Sequence, residues 1–331
     1  MKAVVVDSKI IDLFTDFSIE KRILGEAGIE LAVENITNPA DYVRLCRDAE
    51  ALLLIGLQTP RAVIEQLPAC RVIVRYGVGY DAVDVAACSE RGIAVCNVPD
   101  AGTYEVGSHA FALALDCLRK ITCYDRRIRK GDWHAGSGYK IRRLCENTFG
   151  YCGFGNIGRA AARFAGLLGC RLIAYDPFVS DEIFASAGAT RVSFDELLAQ
   201  ADVISIHTPL NAKTYHLFAQ EQFMKMKQGA ILVNTSRGGL VDREALMDAI
   251  DAGIVAAAGL DVHEPEPLTD LNDRIFQYDT IVLTPHSATE STAYAPTLQE
   301  LVARTAVAVL GGELPANVIN REAILKFRQK A

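Results

Sequence analysis

Three segments in the second half of the chain set an arginine, a carboxylate and a histidine just beyond runs of β-branched residues. They are Asn234-Thr235-Ser236-Arg237-Gly238-Gly239, Pro265-Glu266-Pro267 and Thr284-Pro285-His286. The Arg237 guanidinium is a planar fork able to grip a carboxylate bidentately. Glu266, between two prolines, sits in a stiffened loop after the run that ends near Asp261. A carboxylate bonded to His286 favours the imidazolium and fixes which ring nitrogen faces outward. A cation that holds a small acid, with an acid–base pair beside it, is the equipment for reducing a 2-keto acid or oxidising a 2-hydroxy acid. Taken singly, each residue has an ordinary reading as a surface ion pair, a solvated acid or a packed histidine. Their common placement at strand ends joins them. His109 and His134 fall in or near a helical connection, while His207, His216 and His263 offer no equally clear donor role. No metal-type His or Cys/His spacing occurs.

Two glycine loops compete for a dinucleotide. Gly153-Phe154-Gly155-Asn156-Ile157-Gly158 and Gly77-Val78-Gly79-Tyr80-Asp81-Ala82 both fit the G-x-G-x-x-G/A pattern, and each has an acid 18 residues further on, Asp176 and Asp100. Spacing cannot choose between them; electrostatics can. A pyrophosphate rests on the amides and positive dipole end of the following helix, which anions in the first turn oppose. Asp81 and Asp84 stand there in the first loop, whereas the second continues with Arg159 and the small run Ala160-Ala161-Ala162. The dinucleotide is therefore expected at Gly153–Gly158, with the Asn156 and Ile157 amides facing the phosphates. A carboxylate at Asp176 would accept the ribose hydroxyls and repel a 2′-phosphate, which predicts NAD. The bare amides of Gly77-Val78-Gly79 suit a smaller anion, a substrate carboxylate.

The elements that must position these loops follow from hydrophobic period. Strands are predicted over Ala3–Val6, Glu30–Val33, Ala51–Ile55, Arg71–Arg75 and Ile93–Cys96. A second series covers Thr148–Cys152, Arg171–Tyr175, Val203–His207, Ala230–Asn234, Ala256–Leu260 and Thr280–Leu283. Alternation with helical segments implies βαβ units and parallel sheets. One long helical stretch, about Thr103–Arg129, separates the two series, and helical spacing returns at Thr292–Leu310 before Gly311-Gly312. That last helix cannot stand alone, and the first sheet is its expected host. The expected division is 1–99 with 290–331, and 100–289.

With 331 residues the chain has room for two domains. Its net charge of -7 comes from scattered acids, which argues against nucleic acid as a partner. A charge at Asp7 follows only four apolar residues, too few for a secretory signal, and no run is long enough to span a membrane. Nine cysteines without a C-x-x-C pair suit reduced thiols in the cytoplasm.

Taken together, Arg75–Asp81, Gly153–Gly158 with Asp176, Asp202–Leu210, Asn234–Asp242, Gly259–Val262, Glu266-Pro267 and Thr284-Pro285-His286 resemble the D-isomer-specific 2-hydroxyacid dehydrogenases over essentially the whole chain. The resemblance implies a Rossmann NAD-binding domain inserted into a discontinuous flavodoxin-like substrate domain. Arg237, Glu266 and His286 would be catalytic, with His286 the proton donor on reduction. Asp261 would hold the nicotinamide carboxamide. Thr208, Pro209, Thr214, Thr235 and Ser236 would line the cofactor, with Arg237 and His286 bordering it. Gln58, Val78 and Gly79 would face the substrate with Arg237 and His286. The Asn97–Asp100 and Ile141–Leu144 segments look most like the branch containing the C-terminal binding proteins. There are departures. Val106-Gly107-Ser108-His109 replaces the Val-Ala-Glu-His of many relatives, and Thr289 stands where C-terminal binding proteins carry a tryptophan. Gln58 lies near the arginines of phosphoglycerate dehydrogenases, although Arg61 is close in sequence.

The expected function is NAD-dependent interconversion of a small 2-keto acid and its D-2-hydroxy acid, hydroxypyruvate or glyoxylate first and 3-phosphoglycerate second. A homodimer is expected through residues 103–145. The alternative on the same fold is an NADH-sensing, corepressor-like scaffold with little turnover.

Overall fold

The computed structural model describes residues 1–7, 16–36, 38–134, 136 and 139–329. They form two compact units: Met1–Gly102 with Ser291–Ala331, and Thr103–Glu290.

The first unit holds a parallel sheet of β1 (Lys2–Asp7), β2 (Glu30–Asn35), β3 (Ala51–Leu54), β4 (Val72–Arg75) and β5 (Ala94–Cys96), in the order β2-β1-β3-β4-β5. All four residues of β3 and of β4 are buried, because helices cover both faces. Ala3, Val5, Leu53 and Val74 face the helices Ser18–Glu26 and Tyr294–Leu310. Val4, Val6, Leu52 and Ile73 face the other side, against the helices Pro39–Cys46 and Val85–Glu90. The helix beyond the insertion thus completes the first sheet, burying Leu298, Val302 and Ala306 in its core. At about 1.5–3 kcal/mol for each fully buried large aliphatic chain, that attachment is strong. A further helix, Arg321–Arg328, was not anticipated; only Ile324 of it is buried, so it carries little periodic signal.

The second unit holds β6 (Thr148–Cys152), β7 (Arg171–Tyr175), β8 (Thr190–Arg191), β9 (Val203–Ile206), β10 (Ala230–Asn234), β11 (Val255–Leu260) and β12 (Ile281–Leu283). Their order is β12-β11-β10-β9-β6-β7-β8, all parallel. The order reverses between β6 and β9, the switch point at which doubly wound sheets bind ligands beyond their strand C-termini. The two-residue, exposed β8 escaped the sequence reading because it has no hydrophobic pattern.

The stretch read as one helix is two, Thr103–Arg119 and Ile121–Arg129. Lys120 breaks it in the left-handed region, at φ 59°. Long-range contacts impose this conformation: Lys120 is buried, donates to the Tyr139 carbonyl and lies over the Tyr139 ring. Asp116 then caps the second helix by accepting from the Thr122 amide. Neither contact is visible to a local window. No described helix is long and apolar enough to cross a membrane.

Candidate active site

The Gly153 loop leaves β6 and enters the helix Asn156–Leu167 directly, with Gly155 as its N-cap. Gly153 has φ 92°, and a Cβ there would come within 2.6 Å of the His207 carbonyl oxygen. A Cβ on Gly158 would meet the Gly153 oxygen at 2.5 Å. These two glycines permit close backbone packing. Gly155 differs: among the described residues nothing lies within 4 Å of where its Cβ would be, so the approach to the helix N-terminus is open. No acid occupies the first turn, and Arg159 folds back there, donating to the Phe154 carbonyl and to Asn156 Oδ1. Such an end attracts an anion.

Asp176 follows β7, and its carboxylate is aimed by two amides, Phe154 N at 2.8 Å and Phe178 N at 2.9 Å. Each oxygen keeps acceptor capacity for a ribose hydroxyl. The Thr208 hydroxyl donates to the Cys152 carbonyl and that of Ser236 to the Ile206 carbonyl, so both brace loops. Thr214 does the same for its own turn, donating to the exposed Pro209 at its carbonyl. Thr235 Oγ1 is buried without a hydrogen-bond partner among the described residues. A buried hydroxyl left unpaired costs about 1–3 kcal/mol, which a bound ligand can relieve. The open Gly155 cradle and the orphan Thr235 hydroxyl together fit a dinucleotide.

The first glycine loop does not open a helix at once, as the second does. Gly77 follows β4, but the next helix starts only at Val85, and Thr59 bridges to Val83 in between. Asp84 caps that helix through the Ala87 amide, filling the place an anion would need. The loop is braced instead: Arg75 donates to the Gly79 and Leu54 carbonyls and Asn97 to the Val78 carbonyl. Val78 and Gln58 are exposed beyond the C-terminal ends of β4 and β3.

Arg237, Glu266 and His286 leave β10, β11 and β12, three adjacent parallel strands, and so lie along one edge of the second sheet. His286 Nδ1 and Glu266 Oε1 are 2.5 Å apart. Burial pushes the Glu266 carboxyl up, but the bond and charge of His286, with the amide and ring of His263, outweigh it and hold the group below its ordinary value. With Nδ1 engaged, Nε2 is the nitrogen left to exchange a proton with a substrate. Asn234 shapes the arginine turn, donating to the Arg237 carbonyl and accepting from the Ser236 amide.

Sequence reasoning missed two supports of this site. Gly238 is one: a Cβ there would stand 2.0 Å from the His263 carbonyl oxygen, so the arginine loop and the Glu266 loop touch through it. The other is the work done by Asp261, which is fully buried. Its Oδ1 accepts from Thr284 Oγ1 and the Ser287 amide, its Oδ2 from the Ala288 amide, and its carbonyl from the His286 amide. The carboxylate clasps the turn on which His286 sits at φ 54°, a left-handed conformation that a non-glycine residue keeps only when its surroundings enforce it. The signal was an acid ending a strand, Leu260-Asp261, read only for its relation to the cofactor.

Comparison with known proteins agrees with this geometry. Residues 111–288 match the family model described as D-isomer specific 2-hydroxyacid dehydrogenase, NAD binding domain. The chain is 37% identical over 285 residues to a glyoxylate reductase of Korarchaeum cryptofilum, covering 84% of this chain and 85% of that protein. It is 36% identical over 301 residues to a D-3-phosphoglycerate dehydrogenase of Methanocaldococcus jannaschii, covering 90% of this chain but 57% of that longer one. The crystal structure of D-lactate dehydrogenase from Aquifex aeolicus complexed with NAD and lactic acid superposes with a TM-score of 0.81, at 25% identity and 98% coverage of each chain. The chain belongs to the D-isomer specific 2-hydroxyacid dehydrogenase family. It is an oxidoreductase that uses NAD and acts on small 2-keto and 2-hydroxy acids.

Proposed function

We propose that the preferred substrate is a small unphosphorylated 2-keto acid of the glyoxylate or hydroxypyruvate type, with Arg237, Glu266 and His286 as the catalytic set. The His286–Glu266 pair carries this reading. Arg237 grips the substrate carboxylate and polarises the carbonyl. His286, held by Glu266, gives its Nε2 proton to the carbonyl oxygen on reduction and takes it back on oxidation. NADH, when bound, supplies the hydride. Gly153, Gly155, Asn156, Ile157 and Gly158 would hold its pyrophosphate, Asp176 its ribose, and Thr208, Pro209, Thr214, Thr235 and Ser236 its remaining length. Asp261 keeps one acceptor position on Oδ2 for the carboxamide.

Arg61 argues against a phosphorylated substrate. Its fork is already paired with Glu90, at 2.7 and 3.0 Å, with Glu65 and Asp84 near by. A phosphate would have to displace a carboxylate to reach it. 3-Phosphoglycerate, the compound named for one relative, is therefore the second choice. A panel of 2-keto acids with NADH tests the order: glyoxylate or hydroxypyruvate should give the higher kcat/KM, and a preference for phosphohydroxypyruvate would reverse it.

The nine cysteines are all unpaired, consistent with a cytoplasmic setting. The helix Ile121–Arg129 buries none of its residues, and Ile121, Ile128 and Trp133 are exposed, which supports a homodimer through residues 103–145. Residues 135, 137 and 138 of that segment lie outside those described.

A further inference from the structure

We infer that His109, on the helix Thr103–Arg119, is a positioning residue for the proton donor, acting on His286 through Thr284 and Asp261. This rests on the assignment of His286 above.

The Thr284 hydroxyl has a single hydrogen and donates it to Asp261 Oδ1 at 2.6 Å. Toward His109 Nε2, 3.1 Å away, Thr284 Oγ1 can then only accept. His109 therefore carries a hydrogen on Nε2 and donates it. The same nitrogen lies 3.5 Å from Asp261 Oδ1, on a carboxylate whose side chain is 1% exposed. A buried carboxylate needs its oxygens satisfied, since each missing donor is paid in full. Around Asp261 the donors are Thr284, which His109 orients, and the amides of Ser287 and Ala288. Those amides belong to the turn that holds His286 in its left-handed conformation. His109 thus fixes the Thr284 rotor, the rotor fixes the carboxylate, and the carboxylate fixes the turn.

The role differs from packing because it depends on one N–H. His109→Leu removes the donor, and His109→Gln restores one at a similar reach. Misplacement of a reacting group by about 1 Å costs on the order of 10²-fold in rate. His109→Leu should accordingly lower kcat for glyoxylate reduction by roughly 10- to 100-fold, with NADH affinity, read by fluorescence, changing far less than kcat. His109→Gln should recover most of that loss. In a His286→Ala background, His109→Leu should have no further effect, because nothing is left to position. If His109→Leu does not fold, Thr284→Val carries the same test with the same expected loss. Wild-type kcat in the donor-less variant, or an equal loss on top of His286→Ala, would overturn the inference. Full turnover in His286→Ala itself would instead overturn the assignment of His286, and this inference with it.

Discussion

At the level of single residues, the proposed chemistry rests on the His286–Glu266 pair and on Arg237. His286→Ala should cut turnover by roughly 10²–10⁴-fold, the usual worth of positioned proton transfer, while NADH affinity is kept. Steady-state kinetics with a direct NADH titration separates the two effects. Arg237→Lys should raise KM for the keto acid as well as lower kcat, because a point charge cannot replace the bidentate fork. Gly238→Ala makes a different demand. Its new methyl would meet the His263 carbonyl, a backbone atom that cannot swing away. Loss of about 1–3 kcal/mol, the ordinary cost of overpacking, should appear as a lower urea midpoint together with impaired turnover. A Gly238→Ala protein with unchanged midpoint and kcat would show that the two loops need not touch.

At the scale of elements, the Gly153 loop and the strand ends define the cofactor assignment. Asp176→Ala should raise the ratio of NADPH-linked to NADH-linked kcat/KM, since the ribose loses an acceptor and a 2′-phosphate loses its repeller. An unmodified enzyme that already uses both cofactors equally would refute the role given to Asp176. Most strands were legible because Val, Ile and Leu recur wherever a parallel strand is covered on both faces, as in Leu52–Leu54 and Val203–Ile206. The charge contrast between the glycine loops was legible: Asp84 does occupy the helix start that Gly155 leaves open. What stayed hidden depends on distant partners. Lys120 breaks a helix for the sake of Tyr139, and Asp261 serves a turn 23 residues away, through Thr284. The near-parity of the two loops in sequence also concealed that only one of them opens a helix at once.

Across the whole molecule, the N-terminal sheet recruits a helix from beyond residue 290, and the intervening unit carries Arg237, Glu266 and His286. Ile121, Ile128 and Trp133 leave an apolar surface that a second copy would cover. An obligate interface should bury about 2,000 Å² or more. Sedimentation should therefore give twice the 36.0 kDa chain mass, and Ile128→Asp should shift the protein toward monomer. A lone monomer at micromolar concentration would exclude the dimer.

In the proposed reaction one proton, held on the His286–Glu266 pair, is given in one direction and taken in the other. The most direct measurement is the rate of glyoxylate reduction and of glycolate oxidation by the same preparation across pH. Reduction should fall as pH rises and oxidation should rise, about a shared midpoint. Because His286 holds Glu266 ionised below its ordinary range, the pair itself should persist until the pH falls through that depressed value. Glu266→Gln keeps the shape and removes the charge, so the reductive midpoint should move to lower pH with NADH affinity intact. Profiles that run in the same direction, or a midpoint that ignores Glu266→Gln, would mean that another group supplies the proton.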